Sequence, residues 1–385
     1  MGVSRSRLRV LFLTLYPDTM PSSRLRVYQY LPHLASFEID AEVWPSLPEP
    51  WFSRFYSSSS NLIRFTQCAA EFLNNLVRVM QARRANVVFI QKGISSANLL
   101  GFDSLLQRLE VPFIFDFDDD ILGKNIVEFQ NPFLRRFQDA RQTIKLVTQA
   151  STVIAGNSYL KEQALPYNPN IFVIPTPVDT DRFCPRAESR EKKETVIGWI
   201  GMEIGLANLR LLANVLEQLA QRYPIRLKII SRLTKGGTFQ IPGVRVDFVD
   251  WSYQNEVSEM SDFDIGLMPL KDDEWVRGKC GLKLLQYMAM GIPSVASRAG
   301  ANCEIVDDGV DGYLAGNETE WFDRLSTLIQ NYELRKTMGI VARRKVEKSY
   351  SLKATIPSLV HVLKKVGRIE AAPAENVCVS EPIPS

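Results

Sequence analysis

The chain has 385 residues, of which 45% are hydrophobic and 23% are charged, a composition typical of folded globular proteins rather than of disordered ones. This length is enough for two domains that each bury a core. The formal net charge of +3 argues against a nucleic-acid-binding protein. The sequence contains no apolar run long enough to span a bilayer.

The cysteines and histidines argue against a zinc site. The five cysteines are scattered and form no CxxC pair, and the sequence has only two histidines, His33 and His361. An odd, unclustered set of cysteines is typical of a reducing compartment. We therefore expect a cytoplasmic protein without a bound metal.

The first half of the chain alternates apolar strands with helical segments. Ser22 or Ser23 is expected to cap a first helix that contains Leu25 and Leu34 at roughly helical spacing. A longer amphipathic helix is predicted over 61–84. The predicted strands cover residues 8–15, 39–44, 87–91, 113–117, 152–155 and 171–174. This alternation predicts a parallel sheet with helices on both faces.

The second half repeats the same alternation. Pro175-Thr176-Pro177 interrupts the alternation, and residues 176–194, which end in a charged run, are predicted to be an interdomain linker. Helices are predicted over 207–222, 321–348 and 352–366, and the tail 369–385 is expected to be disordered. The predicted strands cover residues 195–200, 226–231, 245–249, 263–269 and 294–297. We expect two α/β domains, 1–175 and 195–368, with a ligand in the cleft between them and a last helix free to pack back on the first domain.

The stretch from Gly278 to Ser297 is the most specific in the chain. A glycine-rich loop opens a helix, Lys279 and Lys283 lie near its N-terminus, and Gly291 and Pro293 end it. Free backbone N–H groups and the positive end of the helix dipole favour a bound phosphate there. The alternative is a plain helix–turn–strand unit whose lysines lie in solvent.

The same stretch resembles the donor-binding helix of retaining glycosyltransferases with the GT-B fold, of the group 1 or family four type. That family's pattern has a glutamate, seven residues, a second glutamate and a segment similar to AMAxGxPVV. Residues 300–314, 173–179 and 157–160 resemble further parts of the family, so the likeness covers nearly the whole chain except the tail.

The resemblance implies an α/β protein of two Rossmann-like domains that face each other across a cleft. The second domain would bind a nucleotide-sugar donor and the first a hydroxyl acceptor on a glycan, a lipid or a small molecule. The donor would be a co-substrate, with no other cofactor and no metal. Transfer would retain the sugar's configuration without an evident protein nucleophile, by front-face attack.

Two positions depart from the family pattern. The first glutamate falls on Gly278, which has no side chain to contact the transferred sugar, and the second falls on Gln286, whose amide can still hold ribose hydroxyls. A replacement carboxylate is available at Glu274 or at its neighbours Asp272 and Asp273. The alternative is that these three are solvated loop charges and that backbone N–H groups hold the sugar.

The basic residues that the family places after the first strand of the second domain are also missing. Gly201 lies in that loop and allows close approach of a ligand to the backbone. Lys283 is then the first choice for contact with the diphosphate. Arg232, Arg277 and Lys279 are weaker candidates.

In the first domain, Arg24 and Arg26 follow the first strand and are predicted to contact a phosphate or an anionic acceptor. A solvated helix face is the alternative. The run from Asp116 to Asp120 closes a strand, and we expect Asp118 and Asp119 to contact sugar hydroxyls or to act as a base. A divalent ion on this run and a helix cap are the two alternatives.

Two other functions stay open at this stage. A catalytically degenerate member of the family would bind a glycan, a nucleotide sugar or a partner without transfer. An epimerase is less favoured, because it would use histidines in the cleft and the chain has only two. Basic helices of the first domain leave open a peripheral contact with anionic lipid, against a solvated surface.

Overall fold

The computed structural model describes residues 7–57, 61–95, 102–122, 140–186, 193–232, 239–271 and 274–367. The charged end of the predicted linker, the predicted tail and the pair Asp272 and Asp273 lie outside these residues. The described chain forms two parallel sheets, each of six strands. The expected fold class, two Rossmann-like α/β domains, is confirmed.

The first sheet has the strand order β2-β1-β3-β4-β5-β6. Its strands are β1 (Leu8–Thr14), β2 (Ile39–Pro45), β3 (Val87–Gln91), β4 (Phe113–Phe117), β5 (Thr152–Ala155) and β6 (Ile171–Val173). The helices around it are α1 (Pro21–Arg26), α2 (Leu31–Leu34), α3 (Trp51–Ser57), α4 (Asn61–Gln81), α5 (Phe102–Arg108), α6 (Ala140–Gln149) and α7 (Ser158–Ala164).

The second sheet has the strand order β12-β11-β10-β7-β8-β9. Its strands are β7 (Thr195–Ile200), β8 (Ile225–Ser231), β9 (Arg245–Asp250), β10 (Ile265–Met268), β11 (Ser294–Ser297) and β12 (Tyr313–Ala315). The helices that follow are α8 (Leu206–Leu209), α9 (Ala213–Arg222), α10 (Glu256–Met260), α11 (Glu274–Arg277), α12 (Leu282–Ala289), α13 (Asn302–Ile305), α14 (Glu318–Gln330), α15 (Tyr332–Ser349) and α16 (Leu352–Val366).

Both sheets are buried on their two faces, which explains the continuous apolar strands. In β1, Leu11 and Leu13 belong to the core on one face, whereas Val10 and Phe12 belong to the core on the other. The period-two alternation of side chains in a strand supplies both layers of helices with apolar partners. The edge strand β2 buries Ile39 but leaves most of its other side chains partly or fully exposed.

The last helix, α16, crosses back and packs on the first domain. Leu359 and Leu363 share a core cluster with Leu8 of β1, and the Tyr30 hydroxyl donates to Oγ1 of Thr355 over 2.9 Å. The chain therefore passes between the domains twice. The two crossings lie side by side, since Val178 N–H donates to the Tyr350 carbonyl over 2.9 Å.

Several predicted boundaries differ from those in the structure. The first helix begins at Pro21 and not at a serine cap, because proline fits the first helical position. The predicted helix over 321–348 is two helices, since the Asn331 side chain accepts from Leu334 N–H and starts a new one. None of the described helices is both long and apolar enough to cross a membrane.

Candidate functional site

The two domains meet where loops from their sheets come together. In the first domain Asp118 to Asp120 follow β4 and Asn157 follows β5, and in the second domain residues 278–280 lead into α12. The Cys280 thiol donates to the Asp118 carbonyl over 3.3 Å, and Nδ2 of Asn157 donates to the Lys279 carbonyl over 3.1 Å. The carboxyl ends of first-domain strands therefore touch the loop that opens the predicted donor helix.

Gly278 is buried in this contact. A Cβ atom built on it would lie 2.6 Å from Cβ and 2.7 Å from the backbone nitrogen of Asp120. Real Cβ atoms do not approach backbone this closely, so no side chain fits without moving the first-domain loop. The first glutamate of the family pattern is thus replaced by packing between domains.

Helix α12 is fixed to the second sheet through Tyr287. The Tyr287 hydroxyl accepts from Ile200 N–H and donates to the Leu267 carbonyl, both over 3.2 Å. Gly266 leaves room for its ring, because a Cβ there would lie 2.5 Å from Cδ2 of Tyr287. At the other end the helix starts from Gly281, whose φ of 63° favours glycine. The N-terminus of α12 is thereby held at the carboxyl end of β7.

Lys283, in the first turn of α12, points along this edge. A Cβ at Gly201 would lie 2.7 Å from Cε of Lys283, and the Lys283 ammonium lies 5.1 Å from the centre of the Trp199 ring. Burial, together with the charge of nearby Lys279, lowers the pKa of Lys283 to about 8. Among the described residues no carboxylate forms a salt bridge with Lys283. This half-buried cation beside a glycine would be stabilised by an anion.

The other residues predicted to contact the donor differ in their exposure. Arg232 is exposed and stacks over the Trp251 ring at 5.4 Å from its centre, and the Arg277 side chain is exposed. Gln286 is buried on α12. Glu274 begins α11, but its side chain lies outside what is described, as do Asp272 and Asp273.

The structure contradicts the expectation that Arg26 contacts a ligand. Its side chain is buried, forms an ion pair with Asp116 and donates to the Ile174 carbonyl over 2.6 Å. Asp116 is buried with it at the end of β4. Since a buried charge requires a partner, this pair holds α1 against the sheet, and all three guanidinium nitrogens already donate within the protein.

Asp118 and Asp119 are held by Lys92, a residue that the sequence analysis did not single out. Lys92 follows β3 with a φ of 62°, is buried, and pairs with both carboxylates. The Ser22 hydroxyl also donates to Asp118 over 2.8 Å. Burial opposes ionisation of Asp118, but Lys92, Arg26 and Ser22 outweigh it and keep its pKa below the ordinary value. The acidic run therefore has its own cations in the protein.

The pairing of these carboxylates with basic residues affects whether the acidic run could bind a divalent ion. Within the described part of the chain, no three side chains of the metal-ligating types are grouped so that they could hold an ion. The carboxylates of Asp118 and Asp119 face an ammonium, as Asp116 faces a guanidinium. Among the described residues, the carboxylates of this run are therefore paired with basic groups of the protein.

Arg24 lies where the two domains approach each other. Its guanidinium carbon is 4.9 Å from the centre of the Tyr253 ring, which belongs to the second domain. Arg182, from the crossing segment, stacks on the same ring at 3.6 Å and forms a 2.8 Å salt bridge with Glu256. Unlike Arg26, Arg24 has no salt-bridge partner among the described carboxylates and is half-buried. It is the basic residue of α1 that remains available to an anion.

The second domain is similar to known proteins. Residues 194–331 match the family profile described as glycosyl transferases group 1. A sulfoquinovosyl transferase from Arabidopsis thaliana is 28% identical over 195 residues, which are 44% of this chain and 35% of that protein. An N-acetyl-alpha-D-glucosaminyl L-malate synthase from Bacillus anthracis is 36% identical over 72 residues, 18% of this chain and 19% of that protein. The matches span about a third or less of these curated relatives.

Solved structures show the same fold over nearly the whole chain. HepE from Anabaena, crystallised with UDP, has a TM-score of 0.67 at 16% identity and aligns with 93% of this chain and 100% of its own. A sucrose-phosphate synthase from Thermosynechococcus elongatus has a TM-score of 0.70 at 13% identity, with 94% and 100% covered. At these identities the likeness establishes the fold, which is the fold that the resemblance of the sequence implied.

Proposed function

Because residues 194–331 form a group 1 glycosyl transferase domain in a chain of GT-B fold, we propose that the protein is a glycosyltransferase. It moves a sugar from a nucleoside-diphosphate sugar to a hydroxyl acceptor and retains the sugar's configuration. The observation that carries the proposal is Lys283, a half-buried ammonium at the N-terminus of α12, beside Gly201 and without a carboxylate partner among the described residues.

The chemistry follows from the charge that develops on the leaving group. Breaking the bond from the sugar to the diphosphate places negative charge on phosphate oxygens. Lys283 and the free N–H groups of the first turn of α12 stabilise that charge, and Gly201 leaves the space that the Lys283 side chain occupies. No protein nucleophile is required, since both substrates are held for attack from the face that the diphosphate leaves.

The remaining candidates complete the proposal around this anion site. Gln286 serves the ribose hydroxyls, and Arg232, Arg277 and Lys279 line the donor side. Asp118 and Asp119 accept hydrogen bonds from sugar or acceptor hydroxyls and require no metal. Arg24 faces an anionic part of the acceptor or of the donor.

The choice of donor starts from the solved neighbours. HepE was crystallised with UDP and with UDP-glucose, so a UDP-sugar is the first donor to test on this chain. The acceptor is a hydroxyl of a glycan, a lipid or a small molecule. We propose a cytoplasmic enzyme, and a lipid acceptor would bring it into peripheral contact with a membrane.

The proposal is tested by incubating the protein with UDP-, GDP- and ADP-sugars and a set of hydroxyl acceptors, and measuring nucleoside diphosphate release. Lys283→Met should lower nucleoside diphosphate affinity about 100-fold, because a charge-assisted hydrogen bond in a partly buried site is lost. Lys336→Met, at an exposed position of α15, is the matched control and should bind as the wild type does. Equal affinity in both variants would remove Lys283 from the site.

A second function is favoured by one observation, the missing carboxylate at Gly278. If the position that contacts the transferred sugar is filled by Asp120 packing, the site binds a nucleotide sugar without transferring it. Calorimetric binding of a UDP-sugar without UDP release, with every acceptor class tried, would favour this degenerate binding protein over the enzyme.

A further inference from the structure

The side chain of Asn157 joins the two domains. Its Oδ1 accepts from Leu160 N–H over 2.8 Å and so caps α7 of the first domain. Its Nδ2 donates to the Lys279 carbonyl over 3.1 Å, with a longer contact of 3.5 Å to the Arg277 carbonyl. Only a side chain that both accepts and donates can cap the helix and bind these carbonyls at once. Asn157 is 5% exposed, so no water replaces these bonds cheaply.

The loop that Asn157 binds is held on its other sides by the first domain as well. The Cys280 thiol contacts the Asp118 carbonyl, and a Cβ at Gly156 would lie 2.5 Å from Sγ of Cys280. Gly278 packs on Asp120 in the same contact. These first-domain contacts, which we call the interdomain joint (Gly156, Asn157 and Asp118–Asp120 against Gly278–Cys280), fix the backbone that leads into α12.

The loop matters because Lys283 stands on the first turn of the helix that it opens. The other end of α12 is fixed to the second sheet through Tyr287, whereas its N-terminal approach packs on Gly300 and Ile305 of its own domain and also takes contacts from the first domain. We propose that Asn157 is a positioning residue for the nucleotide-sugar site: it docks the 277–280 loop so that Lys283 and the N–H groups of α12 face the diphosphate. The donor site is therefore completed by the acceptor domain. The identity of the ligand rests on the proposed function, whereas the role of Asn157 in the interdomain joint does not.

The variant Asn157→Ser tests the proposal. A serine still caps α7, but its side chain is too short to reach the carbonyls of residues 277 and 279, and it adds no charge beside the Cys280 thiol. Asn331→Ser is the matched control, because Asn331 caps α15 in the same way within the second domain. Asn157→Thr, another uncharged cap, carries the same test if the serine variant does not fold.

The native cysteines report on the joint without any assumption about ligands. Cys280 is half-buried in it, whereas Cys184 and Cys303 are exposed. Alkylation by iodoacetamide, followed peptide by peptide with mass spectrometry, should become about tenfold faster at Cys280 in Asn157→Ser, as expected for the loss of a buried hydrogen bond. The rates at Cys184 and Cys303 should stay the same, and Asn331→Ser should match the wild type at every site.

The second readout is the affinity for UDP, measured by calorimetry. Asn157→Ser should weaken it about tenfold with no change at Asn331→Ser. If Cys280 reacts no faster in Asn157→Ser, the joint does not depend on Asn157 and the proposal is wrong. If Cys280 reacts faster and UDP binds as before, the joint does not position the donor site. If the wild-type protein binds no UDP, GDP or ADP, the proposed function is wrong. The alkylation rates still show whether the interdomain joint depends on Asn157.

Discussion

Asp120 occupies the space into which any side chain at Gly278 would project. The distance from a Cβ at Gly278 to the backbone nitrogen of Asp120 would be 2.7 Å, well inside van der Waals contact. The two residues belong to different domains, so the identity of residue 278 affects how closely the domains dock. The glycine that stands in place of the family's glutamate therefore makes room for the acidic loop of the first domain, besides removing a carboxylate from the site.

Restoring the family's residue is expected to harm this protein. Gly278→Glu and Gly278→Ala should each lower the free energy of unfolding by about 1–3 kcal/mol, since backbone must move to admit even a methyl group. Neither should raise turnover. Gly316→Ala is the control, because its Cβ would meet nothing closer than 3.7 Å. Denaturant unfolding and nucleoside diphosphate release measure the two effects, and a more active Gly278→Glu variant would contradict this account.

The acidic run depends on Lys92. Lys92→Met leaves Asp118 and Asp119 without their ammonium, and should lower the free energy of unfolding at pH 7 by about 3 kcal/mol. Burial opposes the charge on Asp118, but Lys92, Arg26 and Ser22 depress its pKa, so the resulting stability is present above the unfolded pKa and is lost as the pH falls below it. The difference between wild type and Lys92→Met should therefore persist down to about pH 4 and shrink between about pH 4 and about pH 2.

Urea unfolding at pH 7 and at about pH 2 measures this prediction. Lys161→Met, an exposed lysine of α7, is the control and should change stability little at either pH. A difference between wild type and Lys92→Met that is as large at about pH 2 as at pH 7 would show that Lys92 acts by packing and not by charge.

The architecture was predictable because it depends on local patterns. Buried parallel strands are apolar runs, and the helix stop at Gly291 and Pro293 is read directly from the sequence. The glycine adopts a φ of 67° there, as its position after the helix requires. The strand β12 is short, at Tyr313–Ala315, and was recognised through resemblance and not through its pattern.

The site was harder to predict because pairing between distant residues decides it. Arg24 and Arg26 are equivalent in sequence, yet Arg26 is buried against Asp116 and Arg24 stacks on Tyr253 of the other domain. Lys92 and Asn157 each take their roles from partners brought together by strand order. No local signal marks such a pairing, and only the loop positions after β3 and β5 place these residues near the cleft.

Tyr253 is expected to matter through the two arginines that it holds. Tyr253→Ala removes both cation–π contacts and should raise the KM for an anionic acceptor about threefold, since each partly exposed contact contributes about 0.5–1 kcal/mol. Tyr253→Phe keeps the ring and is the matched control. Steady-state kinetics against acceptor concentration, with donor saturating, measure the effect. Equal KM values in the two variants would show that the stack does not orient Arg24.

The protonation of Lys283 should control donor affinity in a narrow pH range. Burial and the charge of Lys279 lower its pKa to about 8, so in the free protein the ammonium begins to lose its proton near that pH. A bound diphosphate favours the charged form and raises the pKa again. Binding at pH 8 should therefore take up about half a proton, and affinity should fall as the pH rises above 8.

Because its pKa is lowered in the folded protein, the charged Lys283 side chain destabilises the fold at neutral pH. Between about pH 8 and the ordinary lysine pKa, the unfolded chain binds more protons than the folded chain. The free energy of unfolding therefore rises with pH across that window. Lys283→Met should then increase the free energy of unfolding at pH 7 by about 1–2 kcal/mol while it weakens UDP binding. Calorimetry in two buffers of different ionisation enthalpy gives the proton uptake, and Lys336→Met is the control. If Lys283→Met still takes up protons when it binds UDP at pH 8, another group titrates. If proton uptake disappears and the variant is more stable than the wild type, Lys283 serves ligand binding at the expense of stability.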